Sequence, residues 1–106
     1  MNKNLEIAII LPNYNSSLFI EKTLNSIFSQ SYKNWKLFLI DDNSDYKTKR
    51  ILHRYKKNKK IKIFFLKSNK GAAYCRNFAL KKIRSPYIAF IDSDDLEMKN
   101  KLQNQI

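Results

Sequence analysis

Four short apolar runs, Ile7 to Leu11, Trp35 to Ile40, Ile61 to Leu66 and Tyr87 to Ile91, divide the 106-residue chain so that each gap has room for one helix. Unbroken runs of Ile, Leu, Phe and Ala, without polar alternation, are the pattern of strands covered on both faces. In the first gap Leu18, Ile20, Leu24, Ile27 and Phe28 recur at helical spacing. That spacing predicts a helix ending near Gln30 to Tyr32, with Ser16 or Ser17 as its N-cap. Asn43-Ser44-Asp45 supplies turn and cap chemistry for a second, basic helix that turns Ile51, Leu52 and Tyr55 inward. Lys70 to Ile83 is the third. The resulting βαβαβαβ order predicts an α/β fold: a mostly parallel open sheet, right-handed crossovers and helices on both faces. The length fits one domain over residues 1–106, burying roughly 60–70% of the surface its unfolded form exposes.

Charge is unevenly distributed. The chain holds 21 Lys and Arg against 9 Asp and Glu, a net +12, and Lys47 to Lys70 carries eleven of the cations with no acid. Such a run is a solvated face, a phosphate-steering surface, or a dock for nucleic acid or anionic lipid. The aromatics within it, Tyr55, Phe64 and Phe65, follow core periodicity, which disfavours nucleic acid. No apolar stretch approaches the roughly 20 residues that cross a bilayer, and Glu6 interrupts the N-terminal region before a signal-peptide core could form. The expected location is cytoplasmic, with contact of the basic helix on the inner face of the membrane as a secondary expectation. Cys75 is the single cysteine and reads as a small buried hydrophobe; His53, among Arg50, Arg54 and Lys56, reads as a solvated surface residue.

The acids are as clustered as they are scarce. Seven of the nine sit in two groups, Asp41, Asp42 and Asp45, and Asp92, Asp94, Asp95 and Glu97, each where an apolar run ends. In open parallel sheets ligands bind beyond the C-terminal strand ends, where the strand order reverses. Neither the GxGxxG dinucleotide fingerprint nor the GxxxxGK[ST] loop is present to explain that edge. Asp92 and Asp94, one residue apart at a strand end, can share a hard divalent cation, Mn²⁺ or Mg²⁺, which prefers oxygen ligands. The competing reading is that Asp92 to Asp95 cap a helical segment starting near Leu96. The second acidic strand end and the fold position favour the site.

Taken in order, Ile-Ile-Leu-Pro-Asn-Tyr-Asn (9–15), Gln30-Ser31-Tyr32, Leu-Ile-Asp-Asp-Asn-Ser (39–44), Asn69-Lys70-Gly71 with Arg76-Asn77, and Phe-Ile-Asp-Ser-Asp-Asp (90–95) resemble the inverting GT-A glycosyltransferases of family 2. The resemblance implies a nucleotide-diphosphate sugar, a UDP-sugar first, in a Rossmann-like nucleotide-binding half. By position it implies that Pro12, Tyr14 and Asn15 frame the nucleotide, Tyr14 being equally readable as a packing aromatic. It gives the base or ribose contact to Asp41 and leaves Asp42 and Ser44 to shape the turn. Asn69 and Gly71 would open a helix whose bare N–H groups suit an anion, and Arg76 would reach the diphosphate or base. Asp92-Ser93-Asp94 corresponds to the family's DxD element, with Asp94 as direct metal ligand, Asp92 on the ribose or a metal-bound water, Ser93 among the donor-binding residues and Asp95 as a cap.

The catalytic domain of such enzymes continues past the DxD strand to a carboxylate that acts as general base on the acceptor hydroxyl. Asp95 and Glu97 lie too close to the metal element for that role. The expectation is therefore a donor-binding half cut at its C-terminus, with no catalytic residue of its own and a general base beyond Ile106. Two other functions compete with it. One is a non-catalytic nucleotide-binding remnant, self-assembling as a homodimer to cover an open sheet edge; the other is an electrostatic binder of nucleic acid or anionic membrane.

Overall fold

In the computed structural model, which describes residues 5–92, strands and helices alternate as the apolar runs require. β1 is Ile7–Asn13, α1 Ile20–Ser29, β2 Trp35–Asp41, α2 Tyr46–His53, β3 Ile61–Phe65, α3 Ala72–Leu80 and β4 Tyr87–Phe90. All pairings are parallel and the strand order is β3-β2-β1-β4. The chain builds outward from β1 through β2 to β3, then returns to lay β4 on the other side of β1. The order therefore reverses between β1 and β4.

Alternation along the strands sorts the core into two layers. Ile7, Ile9 and Leu11 of β1, with Trp35, Leu37 and Leu39 of β2, pack under α1 and α2 against Ile20, Leu24, Ile27 and Leu52. Ala8 and Ile10, with Phe38 and Ile40, pack under α3 against Cys75 and Ala79. Helices thus cover both faces, which is why the strands carry apolar residues at consecutive positions. Among the described residues no helix is long and apolar enough to cross a membrane.

Several local details differ from the sequence expectation. β1 runs two residues past its apolar stretch, through Pro12 to Asn13. In a parallel ladder alternate residues bond to opposite neighbours: Asn13 O accepts from Asp42 N of the β2 side, and Ile10 O from Ile91 N of the β4 side. By that alternation Pro12 faces β4, whose pairing ends at Ile10↔Phe90, so its missing N–H deprives the ladder of nothing. Neither Ser16 nor Ser17 caps α1: its N-cap position is Phe19, without a side-chain bond, and the buried Ser16 hydroxyl donates to Asn13 Oδ1 instead. Leu18 stands outside the helix and is 82% exposed. A missing cap costs about 1 kcal/mol, while fully buried Ile20, Leu24 and Ile27 contribute about 1.5–3 kcal/mol each, so packing decides the helix.

α2 starts as expected, with the Asp45 carboxylate accepting from Thr48 N at 2.9 Å. That bond holds the Asp45 carboxyl below its ordinary value. Leu52 is buried and Ile51 and Tyr55 are half-buried against the core, Tyr55 lying just beyond the helix end. His53 is exposed, stacked on Phe65 with ring centroids 5.0 Å apart. α3 is shorter than Lys70 to Ile83 because Gly71 takes φ 93°, outside helical space, and the chain leaves the helix at Lys81 ahead of Pro86. Ser85 Oγ then donates to Glu6 O at 2.5 Å, tying the approach to β4 to the approach to β1.

Candidate functional site

The C-terminal ends of β1, β2 and β4 and the start of α3 surround an open cleft of about 180 Å3, walled by Pro12, Asn13, Tyr14, Asp42, Ala72, Cys75 and Asp92. It lies where the strand order reverses. Strand parity explains three of its wall residues: Pro12, Asp42 and Asp92 continue the series Ala8-Ile10, Phe38-Ile40 and Ile88, which pack in the layer under α3. The cleft is the place beyond the strand ends where that apolar layer gives way to polar residues.

Parity also separates the two adjacent acids of β2. Asp41 continues Leu37 and Leu39 toward the α1–α2 layer and is fully buried. Its Oδ1 accepts from Asn13 Nδ2 at 3.1 Å and from Ser44 Oγ at 2.6 Å, and its Oδ2 from Ser44 N at 3.1 Å. Both oxygens are therefore committed within the protein, and Asp41 does not line the cleft. The sequence expectation gives the base or ribose to Asp41 and the turn to Asp42; in the structure Asp42 lines the cleft wall and Asp41 is buried with its hydrogen-bond partners.

Asp42 is also the tether of the β3–α3 loop. Lys70 N donates to its Oδ1 at 2.7 Å, Gly71 N to its Oδ2 at 2.8 Å, and Asn69 Nδ2 to its carbonyl oxygen at 3.3 Å. The Gly71 N–H, expected to meet an anion, is thus engaged by a carboxylate. Glycine is needed at 71 for its φ of 93° and not for space, since a Cβ there would meet nothing within 4 Å.

Asn15 serves as a clasp. With φ 46°, a conformation asparagine tolerates, its N–H donates to Ser44 Oγ at 2.9 Å while its Oδ1 accepts from Asp45 N at 2.7 Å. It joins the loop after β1 to the loop after β2, and it does not line the cleft. Tyr14, by contrast, is 52% exposed at the cleft wall, so it is not a packing aromatic.

Arg76, one turn into α3, faces Asp92 across Nη2–Oδ1 of 3.6 Å, both side chains being substantially exposed. A pair of this kind is worth little to stability, so each partner can turn to a ligand at small cost. Cys75 is buried at the cleft floor; burial, with the Asp42 carboxylate beside it, pushes its thiol up to about 11. It is neutral at physiological pH and packs as the small hydrophobe its sequence context suggests.

Among the described residues no three His, Cys, Asp or Glu side chains gather as a metal site. Ser93, Asp94, Asp95 and Glu97 lie outside the described residues, and with them the expected direct metal ligand. Asn13, Ser16 and Cys75 belong to the site and its support without having been singled out for it. For Asn13 the signal is its register opposite Asp41; Ser16 and Cys75 are reached only through the fold, by the Ser16 bond to Asn13 and the packing of α3 on the sheet.

A model of the family "Glycosyl transferase family 2" matches residues 8–106. The UDP-Glc:alpha-D-GlcNAc-diphosphoundecaprenol beta-1,3-glucosyltransferase WfgD of Escherichia coli is 39% identical over 100 residues, covering 94% of this chain and 39% of that protein. Among solved structures, S. aureus TarS 1–349 in complex with UDP-GlcNAc superposes with a TM-score of 0.82 at 31% identity, over 94% of this chain and 30% of that one. The mannosyltransferase PcManGT of Pyrobaculum calidifontis, solved with GDP-Man and Mn²⁺, reaches a TM-score of 0.82 over 92% of this chain and 30% of its own, and at 23% identity shows a shared GT-A fold. The chain spans about two fifths of the length of the first curated relatives it matches. With the family pattern running through the whole sheet and the cleft at its order reversal, the chain belongs to glycosyltransferase family 2.

Proposed function

We propose that the cleft is the donor site of an inverting glycosyltransferase and takes a nucleotide-diphosphate sugar, a UDP-sugar first, together with Mn²⁺ or Mg²⁺. The observation that carries this is the convergence of Asp42, Asp92 and Tyr14 around a cleft at the β1/β4 order reversal, with Arg76 paired to Asp92. TarS, solved with UDP-GlcNAc, and WfgD, named for a UDP-Glc donor and a lipid-diphosphate acceptor, support the same reading.

In this assignment exposed Tyr14 lies against the nucleoside, and Asp42 accepts a hydrogen bond from the base or ribose with the lone pairs its two amide partners leave. Arg76 exchanges Asp92 for the diphosphate, to which a guanidinium offers paired donors. Asp92 is then free, with Asp94, to hold the divalent cation. Two carboxylates are an oxygen donor set suited to Mn²⁺ or Mg²⁺; Asp92 and Asp94 would hold it, and when bound it would supply Lewis-acid neutralisation of charge on the nucleoside diphosphate. No residue of this chain is assigned as base toward the acceptor hydroxyl.

Titration calorimetry with UDP, with and without Mn²⁺, tests the assignment. The chain is expected to bind UDP more tightly with Mn²⁺, and Asp94→Ala to lose at least about tenfold in affinity, roughly 1.4 kcal/mol, in the presence of the metal only. A folded sample that gives no heat with any nucleoside diphosphate, with or without metal, overturns it.

A further inference from the structure

A second concavity, of about 420 Å3, shares no residue with the donor cleft and lies between the turn before α1 and the outer face of α2. Its walls are Ser17, Leu18, Lys47, Arg50, Ile51 and Arg54. Lys47, Arg50 and Arg54 follow one another at helical spacing, so their cations line one side. Opposite them Leu18, 82% exposed, is the most exposed of the large hydrophobic side chains among the described residues. Nothing in the fold uses it: it precedes α1, contributes to neither core layer, and lies next to Phe19, itself 48% exposed.

Nearby acids offset the groove's charge only in part: Asp45 attracts Lys47 across solvent without an ion pair. Glu21 meets Arg54 at 3.4 Å with both side chains more than half exposed, a geometry that contributes little, and the Asp45 carboxylate is turned to Thr48 N at 2.9 Å. The ion pairs among the described residues are Arg54–Glu21 and Arg76–Asp92, so neither Lys47 nor Arg50 has a salt-bridge partner there. From 47 to 60 the sequence holds eight Lys and Arg and no acid.

We propose that this groove seats the protein on an anionic lipid surface, Leu18 entering the acyl boundary while Lys47, Arg50 and Arg54 meet headgroup phosphates. Cations alone would suit any polyanion. A protruding aliphatic side chain beside them gains nothing from a phosphodiester backbone or from free phosphate, but gains burial in a bilayer. Both walls lie on the α1–α2 side of the molecule, one from the loop that follows β1 and one from α2 and Arg54 just beyond it. A bilayer seated there would border the edge that carries the donor cleft.

Flotation with phosphatidylcholine vesicles, with and without phosphatidylglycerol, at low and high salt, tests this. Binding is expected only with phosphatidylglycerol and is expected to fall at high salt. Each cation near such a surface is worth about fivefold, so the Lys47→Gln/Arg50→Gln double variant should bind about 25-fold more weakly. Leu18→Ser should lose about tenfold, the effect of withholding one aliphatic side chain from the bilayer. All three positions are exposed, and an unchanged melting temperature verifies that the variants fold. Equal binding to neutral vesicles, no flotation of the wild type at low salt, or variants that float like wild type overturns the proposal. Retention on duplex DNA without flotation also overturns it and gives the groove to nucleic acid. UDP calorimetry on the same variants should be unchanged, so this proposal and the donor assignment fail separately.

Discussion

Asp42→Ala is expected to lower the stability of the domain and to remove nucleotide binding in the same step. The Asp42 carboxylate is the acceptor for two consecutive amides, Lys70 N at 2.7 Å and Gly71 N at 2.8 Å, on the loop that leads into α3. Hydrogen bonds to a charged acceptor contribute about 1.5–3 kcal/mol each. The loop is only partly buried, so water recovers some of this, and a net loss of about 3 kcal/mol follows. For a domain of this size that corresponds to roughly 10–20 °C in melting temperature. Because Asp42 is also cleft wall, the part of the sample that stays folded should show no UDP heat. Asp42→Asn keeps an acceptor for one amide and should fall about midway in stability. Thermal unfolding followed by circular dichroism, with calorimetry on the same samples, measures both effects. A melting temperature within a degree or two of wild type would show that the loop does not depend on this tether.

The neighbouring Asp41→Ala should be more destabilising and yet leave binding intrinsically sound. Asp41 is fully buried and accepts from Asn13 Nδ2, Ser44 N and Ser44 Oγ. Deleting it strands three donors in the interior, each of which costs about 1–3 kcal/mol when left unsatisfied. Against a typical total of about 5–15 kcal/mol, that removes a large share of the folding free energy. Since Asp41 does not line the cleft, folded Asp41→Ala protein at low temperature should bind UDP with close to wild-type enthalpy. The opposite result, normal melting with lost affinity, would return Asp41 to the nucleoside contact that the sequence motif gives it. The adjacent pair thus offers a direct separation of a support residue from a contact residue.

The contrast between these two acids marks where sequence reading stops. Runs such as Ile7 to Leu11 and Trp35 to Ile40 could be read as strands because burial on both faces demands apolar side chains at every position, and the structure extends them by only one or two residues. The same uniformity hides which side chain faces which layer. A linear motif gives Asp41 and Asp42 consecutive roles, whereas the pleat sends them to opposite sides of the sheet, and only the register against β1, Asn13↔Asp41, settles the matter. Asn15 was legible as a special residue but not as a clasp, because its partners Ser44 and Asp45 lie 29 and 30 positions away. Ser16 departs from its sequence role for a similar reason: a serine before a helix usually serves the helix, and here the buried Asn13 side chain takes its hydroxyl. Leu18 fitted a helical stripe by spacing, but the helix begins two residues later.

The strand order carries a consequence for how the sheet comes apart. β1 and β2 pair across 28 positions, as Ile7↔Trp35 shows, whereas β1 and β4 pair across 80, as Ile7↔Tyr87 shows. Chain-closure entropy grows as about (3/2)RT ln n, so the longer span costs roughly 0.9 kcal/mol more. It is held by four register pairs against seven for β1–β2, and Tyr87 and Phe90 of β4 are close to half exposed. The joint between the first strand and the last is therefore the weakest seam of the sheet, and the cleft straddles it, with Pro12 on one bank and Asp92 on the other. Any molecule that bridges those banks holds the two ends of the described chain together, so occupancy of the cleft and closure of the sheet are linked equilibria, each favouring the other.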